Sequence, residues 1–527
     1  MQLENVESKE TIIYTFFKWL FDDTRILEKQ VDLEKEFDLS LAPYYMDANI
    51  YYPICIAKLL DTIPFKRLGR ISQLSLAIDT FPNAYHSRLE HSKGTYYRKL
   101  EEFIYNFQDK SWRKKIENNH LKLYVLADLI KMLGHDIGHT ILSHAMEQEI
   151  LSFRGAHEII GQRIMTENNE ICQILSSISP QLPRALKDLY EKRILNFQEH
   201  DESNYDVDRI DYLSRDNLYF GTPINIPFQK YETVQTEDGT IDVYPYSSMS
   251  HIETFLEIRE KSYKDVYFSL KTHLRESTLS YFIKAFIDSE SEHGKDLKQF
   301  LETLKNADLQ SLDLAEFLQW DDIRFYKNIL DIAQNHENEN IRALATMTIP
   351  NIDSFLNLIY SHLNVKNVKK YSQEDEDFLR ELKSVLKGNT IFSKNLRNKN
   401  YAGNNILISE DTEKNIRTEC ESFEIPIYAY KKKEPIYVKD ENGFVYELSE
   451  HPNRKYKWDQ RITIVSAKFV VIPFLKYIGV HDDTIHNDFK TFKTLTEYDI
   501  SLPKRKIKIN LQPLQVGHNI ENDFLEL

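Results

Sequence analysis

Two imidazoles and two carboxylates set out the chemistry this chain can do: His91, the adjacent pair His135 and Asp136, and Asp208. Nitrogen and anionic oxygen donors in that mixture suit a divalent cation of borderline hardness. A carboxylate directly after a histidine, inside Gly134-His135-Asp136-Ile137-Gly138-His139, is hard to explain as packing, because charged or switchable side chains in an apolar helical context need partners. Taken singly, His91 in Arg88-Leu89-Glu90-His91 reads as a surface or satisfied core histidine, and Asp208 in Tyr205-Asp206-Val207-Asp208 as a helix cap. Taken together the four predict a metal-dependent hydrolase.

Helices have to bring these residues to one point. Leu121, Leu123, Val125, Leu126, Leu129, Ile130 and Leu133 recur at a spacing that wraps one helix in core-facing side chains. Successive residues on a helix diverge by about 100°, so His135 and Asp136 share an ion only at a helix end or with fanned side chains. The glycines at 134 and 138 predict such an end, with close passage of the backbone at Gly134. His91 then comes from a preceding helix over about 87–107, and Asp208 from a later one starting near Asp206, so that three helices converge.

At 527 residues the chain exceeds one typical domain. The patterning predicts a mainly α protein in three parts: an N-terminal helical extension over 1–60, a helical core over 61–385, and a smaller mixed α+β lobe over 386–527. In the first part, 12–21 reads as a peripheral amphipathic stretch suited to self-association, and Asp32 to Asp38 as a solvated helix. Leu297 to Leu304 and Phe378 to Leu386 continue the helical period. After Gly388 the segments 425–430, 436–439 and 444–448 alternate and are rich in aromatic and β-branched residues, with Glu441-Asn442-Gly443 as a turn. Lys431 to Lys433 suggest oligomer contacts or a nucleotide pocket. A net charge of -15 opposes a broad nucleic-acid-coating role. The only cysteines, Cys55, Cys172 and Cys420, form no Cys-x-x-Cys pair, which suits a reducing compartment and leaves metal binding to His and carboxylate. The acid-leaning start and the break of the apolar stretch at Lys18 predict neither a signal peptide nor a spanning helix, hence a cytoplasmic protein with no membrane partner.

The order His91, His135-Asp136, Asp208 resembles that of the HD-superfamily phosphohydrolases. The flanks Gln73-Leu74, Phe81-Pro82, His86 to Ser92, Ser143-His144 and Asp206-Val207-Asp208-Arg209-Ile210-Asp211-Tyr212 are similar to those of the deoxynucleoside triphosphate triphosphohydrolases, both the bacterial dGTPase-like enzymes and the animal enzyme with a sterile-alpha-motif domain. The likeness covers 67–220 firmly and 252–331 more weakly. It implies an HD helical core and hydrolysis of a deoxynucleoside triphosphate to deoxynucleoside and inorganic triphosphate. It also implies a divalent ion (Mn, Fe, Zn, Ni or Mg) on His91, His135, Asp136 and Asp208, with a second Mg accompanying the nucleotide.

The same resemblance implies the remaining roles. His144 is the general acid for a poor alkoxide leaving group, and Glu147, three residues on, orients it. His139 and His157 line the triphosphate. Arg88 and Arg209 donate forked hydrogen bonds to phosphate oxygens, as does Arg259. Gln73, Tyr212 and Asp216 meet the sugar, and Tyr267 crowds its 2′ position against ribonucleotides. A departure sits at Phe268-Ser269-Leu270-Lys271, where the family has a His-Lys pair. A homo-oligomer and a nucleotide activator are implied as partners beside the small-molecule nucleotide, with nucleic acid disfavoured. Two rival readings stay open: an HD phosphohydrolase for an alarmone or cyclic nucleotide, and a nucleotide sensor or single-strand nucleic-acid binder with a vestigial metal site.

Overall fold

A computed structural model describes residues 9–22, 37–38, 52–348 with short breaks, 427–430, 436–454 and 462–465. The expected helix at Phe378 to Leu386, the change of character near Gly388, Lys431 to Lys433 and the departure at Phe268 to Lys271 lie outside the described residues.

The described chain is mainly helical, with one small mixed sheet that joins mid-chain strands over 232–244 to C-terminal strands over 437–447. The helices that matter to the site, labelled in chain order, are α1 (Lys9–Phe21), α2 (Arg88–Phe107), α3 (Lys122–Gly134), α4 (Ser143–Met146), α5 (Ala156–Glu167), α6 (Leu182–Tyr190), α7 (Val207–Tyr219), α8 (Met249–Ser262) and α9 (Asp322–Asn335). α3 lies at the centre, against α2 and under α6, and α2 packs in turn on α7. Its position follows from its composition. Leu123, Val125, Leu126, Ala127, Leu129, Ile130 and Leu133 point all round the helix and every one is buried. The one acid among them, Asp128, is compensated by Lys99 of α2, whose Nζ lies 3.1 Å from Oδ2.

Local sequence fixes where the site-bearing helices begin. Ser87 and Glu90 form a capping box at the start of α2, with Glu90 Oε2 accepting from the Ser87 amide at 2.7 Å and Ser87 Oγ from the Glu90 amide at 3.3 Å. Asp206 caps α7 by accepting from the Arg209 amide at 2.8 Å. Glycine permits two close approaches. A Cβ on Gly94 would fall 2.0 Å from Asp211 Oδ1, so α2 and α7 touch there, and one on Gly138 would fall 2.1 Å from the His157 carbonyl and 2.3 Å from the Gly161 nitrogen. Gly134, by contrast, faces the flexible side chain of Met165 and not a backbone.

Strands β3 (Glu232–Thr236) and β4 (Gly239–Tyr244) form an antiparallel hairpin, and β6 (Tyr437–Lys439) and β7 (Val445–Glu447) form another, joined by the expected turn with Gly443 at φ +85°. β4 and β6 pair in parallel, giving the order β3-β4-β6-β7. Two further two-stranded pairs are β1 (Phe37–Asp38) with β2 (Tyr52–Pro53) and β5 (Ile427–Tyr430) with β8 (Ile462–Val465).

Two expectations change. α1 is not peripheral: Ile13, Phe16, Phe17 and Leu20 are buried in the same core as α3, because its aromatic face is too large to leave in water. Phe37–Asp38 is strand, paired with Tyr52–Pro53, where a solvated helix was expected. No helix among the described residues is long and apolar enough to cross a membrane.

Candidate metal centre and active site

α2, the C-terminal end of α3 and α7 converge as their sequence spacing requires. His91 Nε2 lies 3.2 Å from His135 Nε2 and 2.9 Å from Asp208 Oδ1, and His135 Nε2 lies 3.4 Å from the same carboxylate oxygen. Asp136 stands at the edge, with Oδ1 3.4 Å from His135 Nε2 and Oδ2 3.7 Å from His91 Nε2. Donors each about 2.1 Å from a common cation are separated by roughly 3 to 3.5 Å, so these separations fit a shared ion.

The donor chemistry fits too. His91 Nδ1 is 2.8 Å from Asp211 Oδ2, and His135 Nδ1 is 2.9 Å from the Met132 carbonyl. Both partners are acceptors, so each imidazole carries its proton on Nδ1 and turns an Nε2 lone pair inward. Two lone pairs and a carboxylate facing one another repel unless a cation or an added proton lies between them. In the protein without metal that demand falls on protons. Burial alone would lower the His91 pKa, but hydrogen bonds to Asp208 and Asp211 and the Asp136 charge outweigh it and raise the pKa to about 10. His135 moves up as well, against burial, through Asp136 and Asp208. Asp208, opposed by burial but held by both imidazoles, lies well below the carboxylate range.

Beside this centre a second constellation surrounds one buried carboxylate. Glu147 Oε2 lies 3.2 Å from His144 Nδ1 and 3.1 Å from His157 Nδ1, while Oε1 lies 2.8 Å from His139 Nδ1. The His139 and His157 rings stack at 4.0 Å, and His144 stands edge-on to both. Burial would raise the Glu147 pKa, yet His157 and His139 hold it well below its usual range. His157 is raised, by Glu147 against burial. His139 is lowered by burial, by Arg88 and by His157. His144 is lowered, first by the protein packed around it, but its side chain keeps 47% of its surface open. Water reaching that face limits the depression. Asp136 links the two constellations, since its Oδ1 is also 3.3 Å from His139 Nε2. α3 ends before His135, and His135 to Gly138 form turns, so His139 is carried away from the face of His135 and joins the Glu147 group.

The remaining expected residues gather around these two groups. Arg88 is bound inward, Nη1 to Asp136 Oδ2 at 2.7 Å and Nε to Ser143 Oγ at 3.1 Å. Arg209 pairs with its own helix cap, Asp206. Arg259 is buried with its guanidinium 5.7 Å from the Tyr263 ring, and its pKa is lowered by burial and also by Arg209. Tyr212 stands edge-on between His91 at 6.3 Å and Tyr267 at 6.2 Å. Tyr267 donates to Asp216 Oδ2 at 2.5 Å, and His86 Nε2 meets Asp216 Oδ1 at 2.7 Å. Gln73 Oε1 is buried and meets no hydrogen-bond partner among the described residues. Residues without an expected role include Asp211, which orients His91, and His86. The signal for Asp211 was its place one helical turn after Asp208.

Comparison with known proteins follows the same lines. The chain is 30% identical over 227 residues to the uncharacterized protein YwfO of Bacillus subtilis, covering 42% of this chain and 50% of that protein. It is 29% identical over 276 residues to a putative HD domain-containing protein, L394, of Acanthamoeba polyphaga mimivirus, covering 47% and 59%. It is 28% identical over 192 residues to the deoxynucleoside triphosphate triphosphohydrolase SAMHD1 homolog of Dictyostelium discoideum, covering 34% and 36%. The matched stretch thus spans about half the length, or less to somewhat more, of these relatives. No family model matches. The names of two of these relatives describe an HD domain-containing protein and a deoxynucleoside triphosphate triphosphohydrolase, and in this chain the donor atoms of His91, His135 and Asp208 lie close enough together to share one metal ion.

Proposed function

We propose that the chain hydrolyses deoxynucleoside triphosphates to deoxynucleoside and inorganic triphosphate. The observation that carries the hydrolase reading is the pair of inward Nε2 lone pairs, each fixed by an acceptor on Nδ1, beside a carboxylate-centred histidine group. His91, His135, Asp208 and Asp136 would hold a divalent cation, which when bound supplies Lewis acidity toward a phosphate oxygen. Water adds to the α-phosphorus, the bond from that phosphorus to O5′ breaks, and the nucleoside oxygen takes a proton.

His144 gives that proton. Its side chain is about half exposed while Nδ1 faces Glu147, which leaves Nε2 to meet an incoming oxygen. A bound triphosphate brings several negative charges that raise the His144 pKa, and the raised His157 across Glu147 keeps a proton within the group. The charge of Arg209 helps to lower the pKa of the buried Arg259, and two guanidinium groups near each other favour an anion. The Tyr267, Asp216 and His86 chain and the buried Gln73 oxygen offer polar groups to a sugar. That polar patch favours a nucleotide over a bare phosphate ester.

The test is incubation of purified protein with each dNTP, each NTP, cyclic nucleotides and a guanosine tetraphosphate alarmone, with Mg or Mn, and separation of products by ion exchange. Triphosphate released from dNTPs alone supports the proposal. Pyrophosphate or monophosphate products point to another nucleotide substrate, and no turnover with any of them points to a sensor.

A further inference from the structure

A buried carboxylate from outside both constellations ties down the backbone between them. Asp322, the first residue of α9, accepts from the Leu142 amide through Oδ1 and from the Ser72 amide through Oδ2, both at 2.8 Å. These partners are 180 and 250 residues away in sequence. What they flank is unusual: Leu142 and Ser143 have φ of +53° and +50°, two successive non-glycine residues in the left-handed region. Such a pair persists only where surrounding contacts over-determine it. Here Ser143 Oγ donates to the Ser72 carbonyl at 3.0 Å and accepts from Arg88 Nε, so Asp322, Ser72, Ser143 and Leu142 close a ring. The next residue in the chain is His144.

We propose that Asp322 is a positioning residue: by clasping the Ser72 and Leu142 amides it holds the left-handed turn that presents His144 to the reacting oxygen. The inference rests on the hydrolase reading above. Asp322 is itself fixed from behind. Its amide donates to the Arg70 carbonyl at 3.3 Å, Arg70 Nε meets Asp321 Oδ2 at 2.5 Å, and the buried Arg67 donates from Nε to the Trp320 carbonyl at 2.6 Å. α9 therefore acts on the site without touching the substrate.

A double-mutant cycle decides it. Asp322→Asn keeps one acceptor oxygen but turns an NH2 donor toward an amide that also donates. Expected are a kcat lower by about tenfold or more, a KM within about twofold, unchanged cation content, and no further loss when the change is made in a His144→Ala background. Asp322→Glu, which keeps the charge on a longer arm, runs the same cycle if the carboxamide variant does not fold. Imidazole nitrogen resonances give a reading free of turnover, in which His144 moves in Asp322→Asn and His91 and His135 stay. Equal losses in both backgrounds, or an unmoved His144 resonance, overturn the proposal. Absence of turnover in the unaltered protein counts against the hydrolase reading instead, and leaves the resonance measurement to judge Asp322.

Discussion

His91 carries two demands, a hydrogen bond to Asp211 on one nitrogen and a positive charge near the other. In the metal-free protein its pKa is raised to about 10 from 6.5, so its contribution to stability is complete below pH 6.5 and is lost as pH climbs through 10. A cation replaces the proton, so metal affinity rises over the same window. The gap in Tm between metal-loaded and metal-free protein is expected to widen from pH 6.5 to 10; a constant or shrinking gap would remove the metal-centre assignment. Two substitutions separate the constellations. Asp136→Ala should abolish metal content and turnover together, while His144→Ala keeps the metal and slows turnover by about a hundredfold or more, as loss of a general acid does. Metal analysis beside kcat distinguishes them. The four candidate donors stood out in the sequence because a His-Asp dipeptide between glycines has little other use. Asp211 offered only its place one helical turn after Asp208, and His86 and Asp322 offered none, since an acid or imidazole that supports another residue need not keep a fixed spacing from it.

The helices α2 and α3 were legible because a capping box and an all-round apolar run are local signals, and α7 because Asp206 caps it. The β3 and β4 hairpin interrupts a stretch whose helical periodicity on both sides predicts helix, and its own local signal is only Asp238-Gly239 between β-branched residues. Sequence also gave Gly134 the close backbone passage that Gly138 makes. At Gly138 the obstacle is the backbone of α5, which cannot step aside, whereas at Gly134 it is the end of a methionine side chain. Gly138→Ala is therefore expected to destabilise by about 3 kcal/mol or more and to separate His139 from His157. Gly134→Ala should stay within about 1 kcal/mol, since alanine's helix preference offsets the shift of Met165. Denaturant unfolding of both variants checks the order; the reverse ranking would mean that α5 yields more easily than a methionine.

At the scale of the whole molecule, the C-terminal strands bear on α7, the helix that carries Asp208. Ile436, Val438 and Leu448 share a buried cluster with Tyr205, Ile210 and Leu213, the residues that seat α7, and with Ile252 and Phe255 of α8. Val438 lies in register with Tyr244, whose hydroxyl donates to the Tyr205 carbonyl at 3.4 Å, and Tyr205 directly precedes the cap of the helix that bears Asp208. No side chain of β6 reaches the donors, so its influence must pass through the angle of α7. Val438 is fully buried, and an acid there would have no charge partner in that apolar cluster. Val438→Asp is expected to cost about 3 kcal/mol or more of stability and to weaken metal binding by roughly tenfold, while Phe444→Asp, at a position 64% exposed in the same sheet region, changes stability by about 0.5 kcal/mol or less. Metal titration of the two variants well below their unfolding temperatures tests this. If Val438→Asp loses stability but binds metal as tightly as the unaltered protein, α7 is held by the helical core alone and the strands only cover it.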